Sequence, residues 1–246
     1  MITHKGLVPM RVIPQRKRKT SRSQAVLEPD EIQRIRDAAA DAGPMVAALL
    51  EWIYTNGARA SEPGLARMED IDLRGRRVQL IHLKGGLDPD WIPLAARCAE
   101  SLQRWLASRD VHKEKTQQRD FVFPGKHPGK CYPCEGTGTI TKSHRKTKQT
   151  SSIPCPHCDA CGVRWGITRH EVRHIVDTIF QTANIPEEKR FPHILRHSAV
   201  THMVEKMSPA AVQERVGHAS VQTTYKYIKA TKAARELIDD VFDEGK

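Results

Sequence analysis

Apolar positions recur along most of this chain with the spacing of amphipathic helices. One helix is predicted to begin at Pro29, where Asp30 and Glu31 suit the positive end of the helix dipole. A largely apolar run from Met45 to Tyr54 predicts a second helix, which ends at Asn56-Gly57. The same periodicity predicts further helices near residues 95–109, 168–183, 194–206, 209–216, 221–229 and 231–242.

Two short stretches have the character of strands instead. Residues 78–83 and Trp91 to Leu94 are rich in apolar side chains and flank a Gly85-Gly86 turn. They predict a small antiparallel hairpin. The fold class is therefore α+β, mainly helical with a small antiparallel sheet.

Several short motifs carry chemistry-bearing side chains at fixed spacing. His193 and Arg196 form a His-x-x-Arg motif, and Tyr227 follows His218 by nine residues. Upstream, Arg59 lies in Gly57-Ala58-Arg59-Ala60-Ser61-Glu62, just after the second predicted helix. Tyrosine can act as a nucleophile, and arginine and histidine can stabilise a phosphate as negative charge builds. The set suits attack on a DNA phosphodiester.

In order and spacing, these motifs resemble the catalytic domain of the tyrosine recombinases, the phage integrase family. The resemblance covers roughly residues 28–124 and 167–243. It implies DNA cleavage and rejoining through a 3′-phosphotyrosine on Tyr227, without a cofactor for catalysis. Tyr225 is the alternative nucleophile, and His197 and His202 are expected to be structural. The implied catalytic residues are Arg59, Lys84, His193, Arg196, His218 and Tyr227.

The resemblance also implies a role for each of these groups. The two arginines bind phosphate oxygens, and His218 donates a further hydrogen bond to a non-bridging oxygen. Lys84, on the predicted hairpin, protonates the leaving 5′-oxygen, and His193 assists proton movement or holds the phosphate. The chain departs from the family pattern at Ile194, where an aspartate is usual, and at Pro63, where an apolar residue is usual.

Positive charge is concentrated in two segments of a chain whose formal net charge is +11 over 246 residues. Residues 1–27 contain seven lysines and arginines and no acid, and residues 125–150 contain six against Glu135. Double-stranded DNA is the partner that this charge favours, whereas solvated tails that only aid solubility are the alternative. The candidate DNA-binding residues are Arg16, Lys17, Arg18, Lys19, Lys142, Arg145, Lys146 and Lys148.

Two C-x-x-C pairs with 20 residues between them lie in and just after the second basic segment. Such pairs typically bind one structural zinc ion. The predicted ligands are Cys131, Cys134, Cys155 and Cys158, with Cys161 as an alternative to Cys158. Two roles are open for the zinc-binding insertion. It contacts DNA, or it serves only to fold this segment or to contact another protein.

The cysteines also fit a second metal pattern, and one of them stands alone. His112-x-Glu114 followed by Pro154-Cys155-x-x-Cys158 also matches a zinc deaminase pattern, which leaves Cys131 and Cys134 without a role. Cys98 stands alone and is predicted to be a buried thiol of the core.

The predicted organisation is a basic arm at residues 1–27 and a catalytic domain at 28–246 that contains the zinc-binding insertion at 125–166. Family members usually carry a separate core-binding domain before the catalytic domain, and residues 1–27 are too few for one. Another segment is then expected to supply the grip on DNA, or the protein does less than full recombination.

The function favoured by the sequence is site-specific DNA recombination, with a homo-oligomer, dimer to tetramer, assembled on DNA. A non-catalytic DNA-binding regulator or accessory protein of the same fold is the alternative, and a nicking-closing activity like that of type IB topoisomerases is a third. No apolar run approaches the roughly 18 residues of a membrane span, and no signal-peptide core begins the chain. The expected location is cytoplasmic, on the nucleoid.

Overall fold

The computed structural model describes residues 25–80, 91–131, 134–143, 150–155, 158, 161–191, 193–217, 223–224 and 227. Within these ranges, no helix is both long and apolar enough to cross a membrane. Lys84 and His218 lie outside the described residues, as do Tyr225 and the Gly85-Gly86 turn. Of the predicted helices 221–229 and 231–242, only Thr223, Thr224 and Tyr227 are described, all three as helical.

Seven α-helices are found in this part of the chain, and six of them match predicted segments. The short α4 was not predicted, because four residues are too few to show a helical period. The helices are α1 (Pro29–Ala42), α2 (Pro44–Asn56), α3 (Ala96–Ser108), α4 (Thr116–Arg119), α5 (Arg169–Thr182), α6 (Ile194–Val204) and α7 (Pro209–Val216).

Helix α2 is the centre of the main hydrophobic core. Its apolar residues surround the helix on most sides, and Leu49, Leu50, Trp52 and Ile53 are all buried. Helices α1, α3 and α6 pack around it, and α1 contributes Ile32 and Ile35 along one face. A helix that is apolar nearly all round is stable only in such a buried position.

A three-stranded antiparallel sheet lies beside these helices, with the order β1-β2-β3. The strands are β1 (Ile71–Asp72), β2 (Arg77–Gln79) and β3 (Trp91–Pro93), and Val78 pairs with both Ile71 and Ile92. The predicted hairpin pairing is confirmed at β2 and β3. The sequence missed β1, because two residues cannot show a strand period.

Four further strands build the segment around the cysteines. They are β4 (Pro124–Lys130), β5 (Thr139–Ser143), β6 (Thr150–Pro154) and β7 (Val163–Gly166). β4 pairs with β7 and β5 pairs with β6, each antiparallel. The described residues thus have the expected α+β architecture, with helices and small antiparallel sheets.

Candidate active site and four-cysteine centre

Arg196 lies on α6 with its guanidinium buried, and it is only 7% exposed. Its two terminal nitrogens donate to the carbonyl oxygens of Gly57 at 2.6 Å and Val216 at 2.9 Å. Burial, followed by the nearby Arg59, lowers the pKa of Arg196 to about 10, so the group is still a cation at neutral pH. Two backbone carbonyls thus fix the direction of this charge.

Gly57 brings those two carbonyls together. It ends α2 in the left-handed region, with φ 58° and ψ 32°. A Cβ at this position would lie 2.8 Å from Cγ1 of Val216, which is closer than carbon atoms normally approach. Glycine is therefore required both by the backbone conformation and by the contact with α7.

Arg59 follows two residues later and is held by Glu62. One carboxylate oxygen of Glu62 accepts from Nη1 of Arg59 at 2.6 Å, and the other accepts from its backbone N–H at 2.7 Å. The Glu62 side chain is 6% exposed, whereas that of Arg59 is 21% exposed. The guanidinium is therefore oriented from the protein side and still reaches solvent.

His193 precedes α6 at an exposed position. Partial desolvation lowers its pKa, and the guanidiniums of Arg169, Arg196, Arg59 and Arg173 lower it further. The imidazole is therefore largely neutral at neutral pH. Four arginines around one histidine form a cationic surface that suits an anionic group such as a phosphate.

Tyr227 lies on the same side of the molecule, beside α6. Its ring centroid is 5.1 Å from that of His197, with the two rings tilted by 48°. The ring also packs against the small cluster of Val200, Val212 and Val216. A negative charge on the Tyr227 oxygen would raise the pKa of Arg196. The phenol therefore lies near the buried guanidinium.

His197 and His202, which were expected to be structural, are both half-buried. Burial lowers the pKa of each imidazole. Nδ1 of His202 is 2.8 Å from the hydroxyl oxygen of Tyr54. Ile194, where the family pattern usually has an acid, is fully buried in the core.

Arg215 supports the site, although sequence reasoning did not select it. Its guanidinium donates to the carbonyl oxygens of Thr55 at 3.1 Å and Pro93 at 2.8 Å, and to Oδ1 of Asn56 at 3.0 Å. It therefore ties α7 to the end of α2 and to β3. An arginine on a helix is usually a surface charge, so no local signal identifies this role.

The four-cysteine centre comprises Cys131, Cys134, Cys155 and Cys158. All four residues are buried, and their Sγ atoms lie within 4.8 Å of one another. The Sγ atoms of Cys131 and Cys155 are 3.9 Å apart, and those of Cys134 and Cys158 are 3.7 Å apart. Tetrahedral zinc with Zn–S bonds of about 2.3 Å places its sulfur ligands about 3.8 Å apart.

The two halves of the centre are held by reciprocal hydrogen bonds. The N–H of Cys131 donates to the carbonyl of Gly162 at 2.8 Å, and the N–H of Cys155 donates to that of Gly138 at 2.8 Å. In each half, the glycine follows the second cysteine by four residues. The second C-x-x-C segment is thus a matched partner of the first in structure.

Hydrogen bonds within the centre favour a thiolate. Burial opposes ionisation of Cys134. Hydrogen bonds from the N–H groups of Gly138 and Gly136 and from the thiols of Cys131 and Cys158 favour the thiolate, and together they outweigh burial. They lower the pKa of Cys134 to about 6. Burial raises the pKa of Cys158 to about 11. Thiolates are the form that binds zinc.

The remaining cysteines lie apart from the centre. Cys161 is exposed, and its thiol donates to the carbonyl of Val163 at 3.1 Å, so the geometry favours Cys158 as the fourth ligand. Cys98 is fully buried, as predicted, and burial raises its pKa to about 12. The deaminase pattern would leave out Cys131 and Cys134, yet both thiols belong to the cluster.

Arg164 on β7 is buried next to this centre. Burial lowers the pKa of its guanidinium to about 10, and the thiols of Cys131, Cys158 and Cys155 counteract that shift. No sequence pattern singled out this arginine, because its position beside the thiols depends on the pairing of β4 with β7.

The family model described as the Phage integrase family matches residues 25–234. The chain therefore belongs to the phage integrase family.

Curated relatives agree with this assignment. The tyrosine recombinase XerC of Actinobacillus pleuropneumoniae serotype 7 (strain AP76) is 30% identical over 181 residues, which are 73% of this chain and 45% of that protein. The tyrosine recombinase XerD of Bifidobacterium longum (strain NCC 2705) is 31% identical over 214 residues, 82% of this chain and 57% of that protein. The chain thus spans about half the length of these relatives.

Solved structures share the fold. The crystal structure of XerA recombinase superposes with a TM-score of 0.62 at 20% identity, covering 90% of this chain and 66% of that one. XerH site-specific recombinase bound to its difH substrate superposes with a TM-score of 0.56 at 20% identity, covering 88% and 54%. At these identities the likeness establishes the fold.

Proposed function

We propose that this chain is a site-specific DNA recombinase that cuts and rejoins DNA through a 3′-phosphotyrosine on Tyr227. The observation that carries the proposal is the convergence of Arg59, His193, Arg196 and Tyr227 from three distant parts of the sequence. A tyrosine beside two oriented guanidiniums suits phosphodiester cleavage, because the cations stabilise the negative charge of the transition state.

The proposed roles follow from this arrangement. Arg196 and Arg59 bind phosphate oxygens, and their carbonyl and carboxylate partners hold both guanidiniums ready for the ligand. Neutral His193 can accept a proton or donate one. Lys84 and His218 stay predictions, as the proton donor to the leaving 5′-oxygen and as a second donor to the phosphate. Arginine and lysine supply the stabilisation that Mg²⁺ gives in other nucleases.

Double-stranded DNA is the proposed substrate, bound by a dimer or tetramer of this chain. Exposed Arg169 and Arg173 on α5 extend the cationic surface beside His193. The basic arm and the lysines and arginines between the cysteine pairs remain candidate contacts. XerH site-specific recombinase, a structural neighbour, is bound to its difH substrate in its crystal structure.

One zinc ion is the proposed occupant of the four-cysteine centre. The Sγ separations match those of a tetrahedral site, and buried Arg164 suits the net negative charge of four thiolates on one divalent cation. In this proposal, zinc folds the insertion and takes no part in cleavage.

Covalent trapping tests the proposed function. Oligonucleotides carrying inverted repeats found beside the coding region would be nicked just 3′ to candidate scissile phosphates, so that the short fragment bearing the freed 5′-hydroxyl diffuses away. The protein should be trapped on the 3′ phosphate without added Mg²⁺. Tyr227→Phe should lose trapping and still bind DNA, whereas Tyr225→Phe is the matched control and should still be trapped.

Each other outcome of the trapping experiment has a definite meaning. Trapping that survives in Tyr227→Phe and disappears in Tyr225→Phe would show that the nucleophile is wrongly chosen. Specific DNA binding by the wild type with no covalent species would favour the non-catalytic regulator. Trapping without exchange in a two-site recombination assay would favour nicking and closing.

A further inference from the structure

Arg164 is a buried cation with an unused hydrogen-bond donor. The residue is 7% exposed, and its Nε is buried without a hydrogen-bond partner among the described residues. A buried charge is strongly unfavourable unless an opposite charge compensates it. This arginine therefore needs a negative partner close by.

The four-cysteine centre is that partner. Arg164 pairs with Gly129 on β4, and the N–H of Cys131 donates to the carbonyl of Gly162 at 2.8 Å, so the arginine lies beside the centre. The thiols of Cys131, Cys158 and Cys155 raise the pKa of Arg164 against the effect of burial. Four thiolates around one divalent cation keep two negative charges, so the charge of Arg164 is compensated when the centre holds its metal. With four neutral thiols and no metal, Arg164 would be an uncompensated buried cation.

On another side, Arg164 touches the segment that follows Arg59. A Cβ on Gly64 would lie 3.2 Å from Nη2 of Arg164 and would collide with the carbonyl oxygen of Ile167. A Cβ on Gly166 would in turn collide with the carbonyl oxygen of Gly64. β7 and the 3-10 turn Pro63–Leu65 are therefore in direct backbone contact, which only glycine permits at these two positions.

Short hydrogen bonds connect this turn to the active-site arginine. The N–H of Leu65 donates to the carbonyl of Glu62 at 2.8 Å, and the N–H of Glu62 donates to the carbonyl of Arg59 at 2.8 Å. The Glu62 carboxylate then holds the Arg59 guanidinium at 2.6 Å. A shift of Gly64 would therefore move the group that orients Arg59.

We infer that Arg164 is a positioning residue of the active site. It pairs with the metal-loaded four-cysteine centre. It also holds the turn Pro63–Leu65, which is hydrogen-bonded to Glu62 and through it to Arg59. The inference rests on the proposed function, in which Arg59 binds the phosphate. It gives the insertion a part in shaping the active site, whether or not the insertion also contacts DNA.

Zinc affinity is the first test, measured by competition with a chromophoric chelator. Arg164→Met should bind zinc about 10- to 100-fold more weakly than wild type, the usual effect of removing a group that surrounds a metal site. Arg164→Lys keeps the charge and should restore part of the affinity. Arg67→Met is the matched control, because Arg67 stacks on the same Phe121 ring at 5.4 Å as Arg164 does at 5.7 Å. It should not weaken zinc binding, because it removes only a positive charge that repels Arg164.

The side chain of Arg59 gives the second readout, by NMR of arginine Nε–H groups, with the Arg59 signal assigned through Arg59→Lys. Removing zinc from the wild type should shift or broaden that signal. Arg164→Met at saturating zinc should show the same change, and Arg67→Met should not. Neither readout needs DNA cleavage, so both hold even if trapping fails and the recombinase proposal falls.

Contrary results would be clear. Wild-type zinc affinity in Arg164→Met would overturn the pairing of Arg164 with the metal centre. An Arg59 signal that is insensitive both to zinc removal and to Arg164→Met would overturn the link to the active site. If Arg164→Met does not fold, Arg164→Lys provides both comparisons, with a smaller expected change in each.

Discussion

At the scale of single residues, Gly57 combines three structural roles. It ends α2, accepts a hydrogen bond from Arg196 at 2.6 Å, and leaves room for Val216 of α7. The sequence predicts the helix end here, because glycine is the usual residue in a left-handed terminus. The contact between Gly57 and Val216 is a feature of the folded chain.

Gly57→Ala should therefore damage the site more than its small change in volume suggests. Left-handed backbone costs alanine about 1–2 kcal/mol, and the added methyl group must displace Val216. Both carbonyl partners of Arg196 would move, so covalent trapping should fall by at least about tenfold, the effect of roughly 1.4 kcal/mol in the transition state. Thermal unfolding and the trapping rate measure the two effects.

Gly43→Ala is the control for this substitution. Gly43 also has a positive φ, 119°, but an added Cβ would meet nothing within 4 Å. It should lose stability through backbone strain alone and keep its trapping rate. Equal trapping by the two variants would show that the position of Val216 does not matter to the site.

At the scale of elements, the insertion is two similar halves joined by reciprocal hydrogen bonds. Each half supplies two cysteines to the centre. Each half also supplies one carbonyl, from Gly138 or Gly162, that accepts a hydrogen bond from the other half. Two-stranded sheets of this size are marginal without further support, and a metal ion can supply it. The stability of this element is therefore expected to depend on zinc.

Cys134→Ser tests that dependence. The wild type should carry about one zinc per chain, and the variant should lose it, because serine is a poor ligand for zinc. The insertion should then become sensitive to protease, while the helical signal in circular dichroism remains. Cys161→Ser is the control, since its exposed thiol lies outside the cluster, and it should keep zinc. Loss of zinc in Cys161→Ser would show that the fourth ligand is wrongly assigned.

At the scale of the whole molecule, the formal net charge of +11 is the feature most relevant to a DNA partner. The candidate DNA-binding side chains of the two basic segments that produce it, residues 1–27 and 125–150, lie outside the described part of the chain. Their contribution is therefore best measured through the salt dependence of binding, which reflects how many phosphates the protein neutralises.

Neutralising the basic residues of the insertion should flatten that dependence. For each phosphate that the variant no longer neutralises, the slope of log K against log salt should become shallower by about 0.9. The variant replaces Lys142, Arg145, Lys146 and Lys148 with glutamine. An unchanged slope, with zinc still bound, would assign the insertion to folding or protein contact. A parallel variant at Arg16, Lys17, Arg18 and Lys19 measures the arm in the same assay.

The sequence alone determined the local features of this protein. Six of the helices, the β2–β3 pairing, the end of α2 at Gly57 and the two C-x-x-C pairs were all predicted from short patterns. The hydrogen bonds that define such features span only a few residues, so neighbouring side chains suffice to specify them. The spacing of the motifs also led to the family.

Only the tertiary structure decided which distant groups meet. The pairing of Arg196 with two carbonyls, the support from Arg215, the choice of Cys158 over Cys161 and the burial of Arg164 had no local signal. Each depends on how α2, α6, α7 and β7 pack against one another. Packing sums many weak contacts between residues far apart in sequence, and periodicity along one chain does not reveal them.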